Sequence, residues 1–202
     1  MRLSIAWRVS LVGALMAIVV PFASVSSAMA ATDDSDTATW VDEPVPGTPL
    51  TVKRPARWVV QDRTVTKQFG SATAADVHLM ISNPDNGDNA VVNRFVGPDA
   101  EWYSSFGEWK QVAKASAASS KGKLLATGRR TIGGMPAYWD LETYKDPAAG
   151  VPIYFSEFEV RTGSDNVVTV AITIAKDVPH ARRLVTNLIE NVEARDVTPA
   201  GL

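Results

Sequence analysis

Between residues 124 and 175 the chain repeats one pattern, a strand-like run closed by a tight-turn signal, and few folds accommodate it. Leu124 to Ile132 is joined to Met135 to Tyr144 by Gly133-Gly134, a pair that turns a hairpin because both residues accept positive φ. Asp146-Pro147-Ala148-Ala149-Gly150 leads into Val151 to Arg161, and Gly163-Ser164-Asp165-Asn166 leads into Val167 to Ala175. The run predicts a four-strand antiparallel meander. Val167 to Ala175 alternates Val/Ile with Ala/Thr and carries no charge, which predicts a central strand covered on both faces.

The upstream segment adds strands and a helix. Leu50-Thr51-Val52-Lys53 alternates like a short strand, Pro55-Ala56-Arg57-Trp58 turns the chain, and Trp58-Val59-Val60 is apolar enough to anchor it. Asp76 to Ser82 and Ala90 to Phe95 read as two strands joined through Asn83 to Asn89, which contains the hairpin dipeptide Asn86-Gly87. Gly97-Pro98-Asp99 signals a helix start with Asp99 as cap and Glu101 near the positive end of the dipole. Trp102, Phe106, Trp109, Ala113 and Ala117 then fall on one helical face, opposite Ser104, Glu108, Gln111 and Lys114. A closing helix starts at Asp177-Val178-Pro179, with Ala181, Leu184, Val185, Leu188 and Val192 as its apolar stripe. Both helices need a surface to cover, and one antiparallel sheet offers two. The expected fold is α+β, an antiparallel β-sheet with helices packed on it.

The N-terminus predicts export. Arg2 and Arg8 form a basic region, Val9 to Val20 an apolar stretch broken by Ser10 and Gly13, and Pro21 ends it. Ala28-Met29-Ala30 is the small-x-small pattern of signal-peptidase cleavage, placed after Ala30. The stretch is shorter than the ~20 residues that cross a bilayer, and no twin-arginine pair is present. The expected organisation is a signal peptide at 1–30, a flexible tail at 31–49, one domain at 50–195 and a C-terminal tail at 196–202. The 31–49 segment clusters Asp33, Asp34 and Asp36 before Pro44, Pro46 and Pro49, a composition that buries little apolar surface.

Composition narrows the partners. Net charge is −2, and loss of Arg2 and Arg8 with residues 1–30 leaves 18 basic against 22 acidic residues. Such a chain has no electrostatic footprint for nucleic acid. It has no cysteine, so disulfides, a thiol nucleophile, a thiolate metal site and a lipid-modified N-terminal cysteine are all excluded.

Few residues invite chemistry. The two histidines are His78, mid-strand, and His180, in the first turn of the closing helix. A serine triad built on His78 would need a nucleophile elbow, and no Gly-x-Ser-x-Gly occurs. Glu157 and Glu159 point to one face of their strand, about 6.5–7 Å apart along it, a spacing compatible with acid/base work on glycosides. The simpler expectation is a solvated strand face, paired with Arg129, Arg130 or Arg161. Asp85 to Asn89 lacks the spacing and distal glutamate of a calcium loop and reads as a turn. No clustered ligand set for zinc and no phosphate loop follows Gly133-Gly134, so no metal or cofactor is expected. Trp58, Trp102, Phe106, Trp109 and Trp139 could line an apolar pocket, but at strand and helix spacing they are first of all core.

Two short segments resemble a known family. Pro55-Ala56-Arg57-Trp58 after a first strand resembles the Pro-x-x-Trp entry of PsbP-like domains, and Gly133-Gly134-Met135-Pro136-Ala137 before Tyr138 to Tyr144 resembles their Gly-x-Pro-Ala hairpin. The resemblance spans about residues 50–195 and is nearest to the LpqN-type bacterial envelope proteins. It implies an α/β/α sandwich and an accessory or binding protein rather than an enzyme. An envelope lipid, a glycolipid or an envelope protein would be the partner. LpqN-type proteins are usually lipoproteins, whereas this chain has no lipobox cysteine. It is therefore expected to be released or held non-covalently in the wall. The resemblance carries no site residue over. Two rival expectations stand beside it: a small secreted hydrolase using Glu157 and Glu159 or His78, and a secreted structural protein without ligand.

Overall fold

The computed structural model describes residues 39–69, 73–96, 103, 105–147, 150–178 and 180–195, with side chains described except at 62–69 and 73–78. Among the described residues, ten strands and two helices follow in the order β1 Trp40–Pro44, β2 Leu50–Pro55, β3 Val59–Phe69, β4 Thr73–Ser82, β5 Asn89–Val96, α1 Phe106–Ser119, β6 Lys123–Ile132, β7 Met135–Lys145, β8 Pro152–Gly163, β9 Asn166–Ala175, α2 Ala181–Glu190 and β10 Val192–Ala194. Seven strands form one antiparallel sheet in the order β3-β4-β5-β9-β8-β7-β6, and β1-β2-β10 form a second. The α+β reading holds, and β6 to β9 are the expected meander.

The two faces of the large sheet differ in kind. On one, Leu79, Ile81, Val92, Val168, Val170, Ile172, Ile174, Phe158 and Val160 form an apolar layer. Against it pack Leu184, Val185, Leu188 and Ile189 of α2 and Val45, Leu50 and Val52 of the small sheet. Trp58 seals this core, 1% exposed, and Arg54 Nη1 donates to its carbonyl at 2.7 Å, fixing the Pro55–Trp58 turn. Val167–Ala175 lies centrally, as its lack of charge requires. The Gly133-Gly134 turn has φ of 52° and 82°, the left-handed region that glycine enters without a Cβ penalty. Across the β6–β7 ladder Gly128 opposes Trp139, whose indole occupies the space a Cβ would take. On the other face α1 lies over β6 and β7, with Trp109 and Val112 packed against Tyr138 and Tyr103.

Four local expectations are corrected. Residues 40–49 are not a tail. Trp40–Pro44 pairs in register with β2, Val45 is fully buried, and Arg195 Nη2 donates to the Val45 carbonyl at 2.7 Å. An outer strand tolerates proline and charge, which is why composition misleads there. Residues 31–38 lie outside the described residues. Val59–Phe69 is a long edge strand of which only the first residues were anticipated, because Asp62, Arg63, Lys67 and Gln68 break the alternation. Helix α1 starts one to two turns later than Gly97-Pro98-Asp99 suggests. Ser105 is its cap and accepts from the Glu108 amide at 3.2 Å; Asp99, Glu101, Trp102 and Ser104 lie outside the described residues. Val192 belongs to β10, where it pairs with Val52, not to the helical stripe.

Candidate functional site

The second face of the sheet is built from the same strands by simple alternation. Residues next to those of the apolar layer point the other way. On β8 these are Phe155, Glu157 and Glu159, on β9 Thr169 and Ala171, on β5 Asn93, and on β7 Tyr138, Asp140, Glu142 and Tyr144. Asn93, Thr169, Glu159 and Tyr138 are successive cross-strand partners, so they form one row across four strands. Glu142 is paired with Phe155, one row from Tyr144 and Ile153.

This face carries buried polar groups. Asn93 is 3% exposed, Thr169 4%, Glu157 and Glu159 6% each, Asp140 0% and Glu142 1%. Ser116, on the inner side of α1, is buried as well. The expected solvated face of Glu157 and Glu159 is therefore overturned. Alternating charge on a strand looks like a water-facing edge, but β8 lies in the middle of the sheet, between β9 and β7, and both side chains are buried. The arginines anticipated as their partners go elsewhere. Arg129 sits over the Phe106 ring at 5.8 Å, and Arg161 Nε donates to the Gly163 carbonyl at 3.1 Å. Arg130 donates to the carbonyls of Glu190, Ile189 and Val192 at 2.8, 2.6 and 2.7 Å, closing the end of α2.

On the polar face Asp140 Oδ1 accepts from the Glu157 amide at 3.1 Å, and from the other side of β8 the Ser156 hydroxyl donates to the Asp140 carbonyl. The Tyr144 hydroxyl and Asn93 Nδ2 have no hydrogen-bond partner among the described residues and no contact with solvent. Burial holds the Tyr144 phenol above its ordinary range, and the fields of Glu142, Asp146, Glu157 and Asp140 push it further the same way. That hydroxyl therefore lies within the influence of four acidic residues.

The remaining candidates separate. The backbone of His78 lies at a bulge of β4, between Val77 and Leu79, and its side chain lies outside the described residues. His180 is exposed at the start of α2 with φ 56° and makes no side-chain capping bond. Asp85 to Asn89 closes as a turn. Asn83 Oδ1 accepts from the Asp85 amide at 3.0 Å, Gly87 has φ 77°, and Asp88 Oδ1 accepts from the Ala175 amide at 2.8 Å. The aromatics do not converge on one pocket: Trp58 and Trp139 belong to the apolar layer, Phe106 and Trp109 to the cluster under α1. Among the described residues no group of three or more His, Cys, Asp or Glu is arranged to hold a metal ion, and no helix is long and apolar enough to cross a membrane.

No protein-family model matches the chain, and no curated protein matches it. Solved structures do. The chain is similar to the solution structure of cyanobacterial PsbP (CyanoP) from Synechocystis sp. PCC 6803, with TM-score 0.50 and 11% identity, covering 84% of this chain and 98% of that one. It is also similar to the Ran-binding protein Mog1p of Saccharomyces cerevisiae, with TM-score 0.45 and 12% identity over 78% of this chain and 96% of that one. LpqN, involved in cell envelope biogenesis of Mycobacterium tuberculosis, matches with TM-score 0.44 and 14% identity over 78% and 90%. The likeness to CyanoP shows a PsbP-like fold.

Proposed function

We propose that this is an exported, non-enzymatic accessory protein that binds a component of the cell envelope through the polar face of its main sheet. One observation carries the reading. The fold has a complete apolar core on one face, yet keeps Asn93, Thr169, Glu159, Glu157, Asp140 and Glu142 buried on the other. Burying polar and ionisable groups costs stability, and proteins keep such costs where a site needs them. Export is supported by Arg2 and Arg8, the Val9 to Val20 stretch and Ala28-Met29-Ala30. The absence of cysteine leaves release or non-covalent retention in the wall.

Native mass spectrometry on the protein purified from its own host tests this directly. A reproducible adduct of glycan, lipid or partner mass is the expected result, together with an N-terminus at Ala31. A bare mass in every envelope fraction, with no crosslinked partner, favours the structural reading instead. The hydrolase reading draws on one feature, that Glu157 and Glu159 share a buried face with Asp140. Turnover of glycosides that disappears in Glu157→Gln would put it in first place.

A further inference from the structure

The turn between β4 and β5 carries a reactive dipeptide that the fold holds shut. Asparagine is chemically labile, and in Asn86-Gly87 the glycine has no side chain to shield its backbone nitrogen. That nitrogen can attack the side-chain carbonyl carbon of Asn86. The bond from Gly87 N to Asn86 Cγ forms, the Cγ–Nδ2 bond breaks, and Nδ2 leaves as ammonia with the proton given up by Gly87. Water then opens the cyclic imide, at Cγ to give aspartate or at the main-chain carbonyl of residue 86 to give isoaspartate.

Hydrogen bonds oppose the first step. The Gly87 N–H donates to the Asn83 carbonyl at 3.0 Å, so the nitrogen keeps its proton. Asn86 Oδ1 accepts from the Asp88 amide at 3.0 Å, and Asn86 Nδ2 donates to Asp88 Oδ2 at 2.9 Å. Both ends of the side chain are thereby turned to residue 88. An amide N–H only donates and an ionised carboxylate only accepts, so this orientation is fixed. Asp85 and Asp88 also flank the dipeptide, and their charges disfavour the amide anion that attacks.

The turn also holds a distant strand. Asp88 is 3% exposed, and its other oxygen, Oδ1, accepts from the Ala175 amide at 2.8 Å. One carboxylate therefore joins the β4–β5 turn to the end of β9, where the chain leaves for α2. Conversion of Asn86 removes the donor and sets a second carboxylate against Asp88 Oδ2. Like charges in hydrogen-bond contact repel, and the strain falls on the bond to Ala175. Isoaspartate also adds a methylene to the main chain, which upsets the bond from the Asn83 amide to the Asp88 carbonyl, 2.7 Å long. We propose that Asn86 is a deamidation site, closed while the turn is folded and open when it unfolds locally, and that its conversion detaches the turn from β9.

The test incubates the purified protein in mildly alkaline buffer with and without unfolding concentrations of urea. Peptide mapping follows the amide-to-acid change at residue 86 by mass and isoaspartate by enzymatic methyl transfer. Conversion should run at least about tenfold faster in the unfolded chain, because in the folded protein only the locally opened fraction reacts. Asn86→Asp should have a lower urea midpoint than Asn86→Ala, since the added charge does more harm than the lost donor. Hydrogen exchange at the Ala175 amide should be faster in Asn86→Asp than in Asn86→Ala. Should Asn86→Asp fail to fold, the same exchange is read on aged parent protein, where converted and unconverted chains separate by charge. Equal conversion rates in the folded and unfolded protein overturn the proposal, as does an unfolded chain that does not convert. Converted chains whose Ala175 amide exchanges as slowly as the parent's overturn it as well.

Discussion

Tyr144 shows how one side chain reports the character of its surroundings. Its ordinary pKa is 10, and burial, then Glu142, Asp146, Glu157 and Asp140, raise it in the folded state. The sign follows from proton binding. Above pH 10 the unfolded chain gives up this proton while the folded chain holds it, so stability falls as pH climbs. Below pH 10 both states are protonated and the residue contributes no slope. Tyr144→Phe removes the titration, so urea midpoints measured from pH 9 to 11.5 should fall more gently in the variant than in the parent. Equal slopes would mean that the phenol is not buried among carboxylates. Arg130 is a second reporter. Burial lowers its pKa while Glu190 and Glu193 raise it, and its three hydrogen bonds hold the carbonyls at the end of α2. Its guanidinium also lies 4.9 Å from the Phe158 ring. Arg130→Met should cost about 1.5–3 kcal/mol, the scale of hydrogen bonds to a charged group, seen as a lower urea midpoint. Arg130→Lys should recover only part of it, since an ammonium cannot span three carbonyls with a planar fork.

At the scale of elements, the first strand offers the sharpest check. If Trp40–Pro44 pairs with Leu50–Pro55 as the register requires, the amides that bond across this ladder exchange slowly with solvent. A flexible segment would exchange at once. Hydrogen exchange followed by mass spectrometry over 39–56 is expected to show protection, and Val45→Asp to abolish it, because that side chain is fully buried. The meander, the central place of Val167–Ala175 and the apolar stripe of α2 were legible because turn glycines and periodicity act locally. Strand β1 was not, since its burial comes from Leu50, Val52 and Arg195, distant or weakly patterned in sequence. The start of α1 could have been found: Ser105-Phe106-Gly107-Glu108 is a capping-box sequence, nearer the apolar stripe than Asp99. The candidate site was legible only as the shared face of Glu157 and Glu159. Their burial depends on Asn93, Thr169 and Asp140 arriving from three other strands, which no local pattern encodes.

For the molecule as a whole, the question is what each side of the large sheet contributes. The apolar side does the folding: Leu184 is fully buried between α2 and the sheet, among Val170, Ile172 and Phe158 in one continuous cluster. Leu184→Ala should therefore cost about 2–5 kcal/mol, the range for a leucine removed from a packed core. The polar side should behave in the opposite sense. Asn93→Val removes a buried donor that has no partner among the described residues and substitutes a branched side chain suited to a central strand. An unmet buried donor costs about 1–3 kcal/mol, so the variant should match the parent or exceed it in stability. A protein whose stability improves when its polar face is made apolar is keeping that face for something other than folding. Chemical denaturation of both variants beside the parent decides the matter. A fall on Asn93→Val as large as that on Leu184→Ala would make the polar rows a structural network, and the binding site would have to be sought elsewhere on the fold.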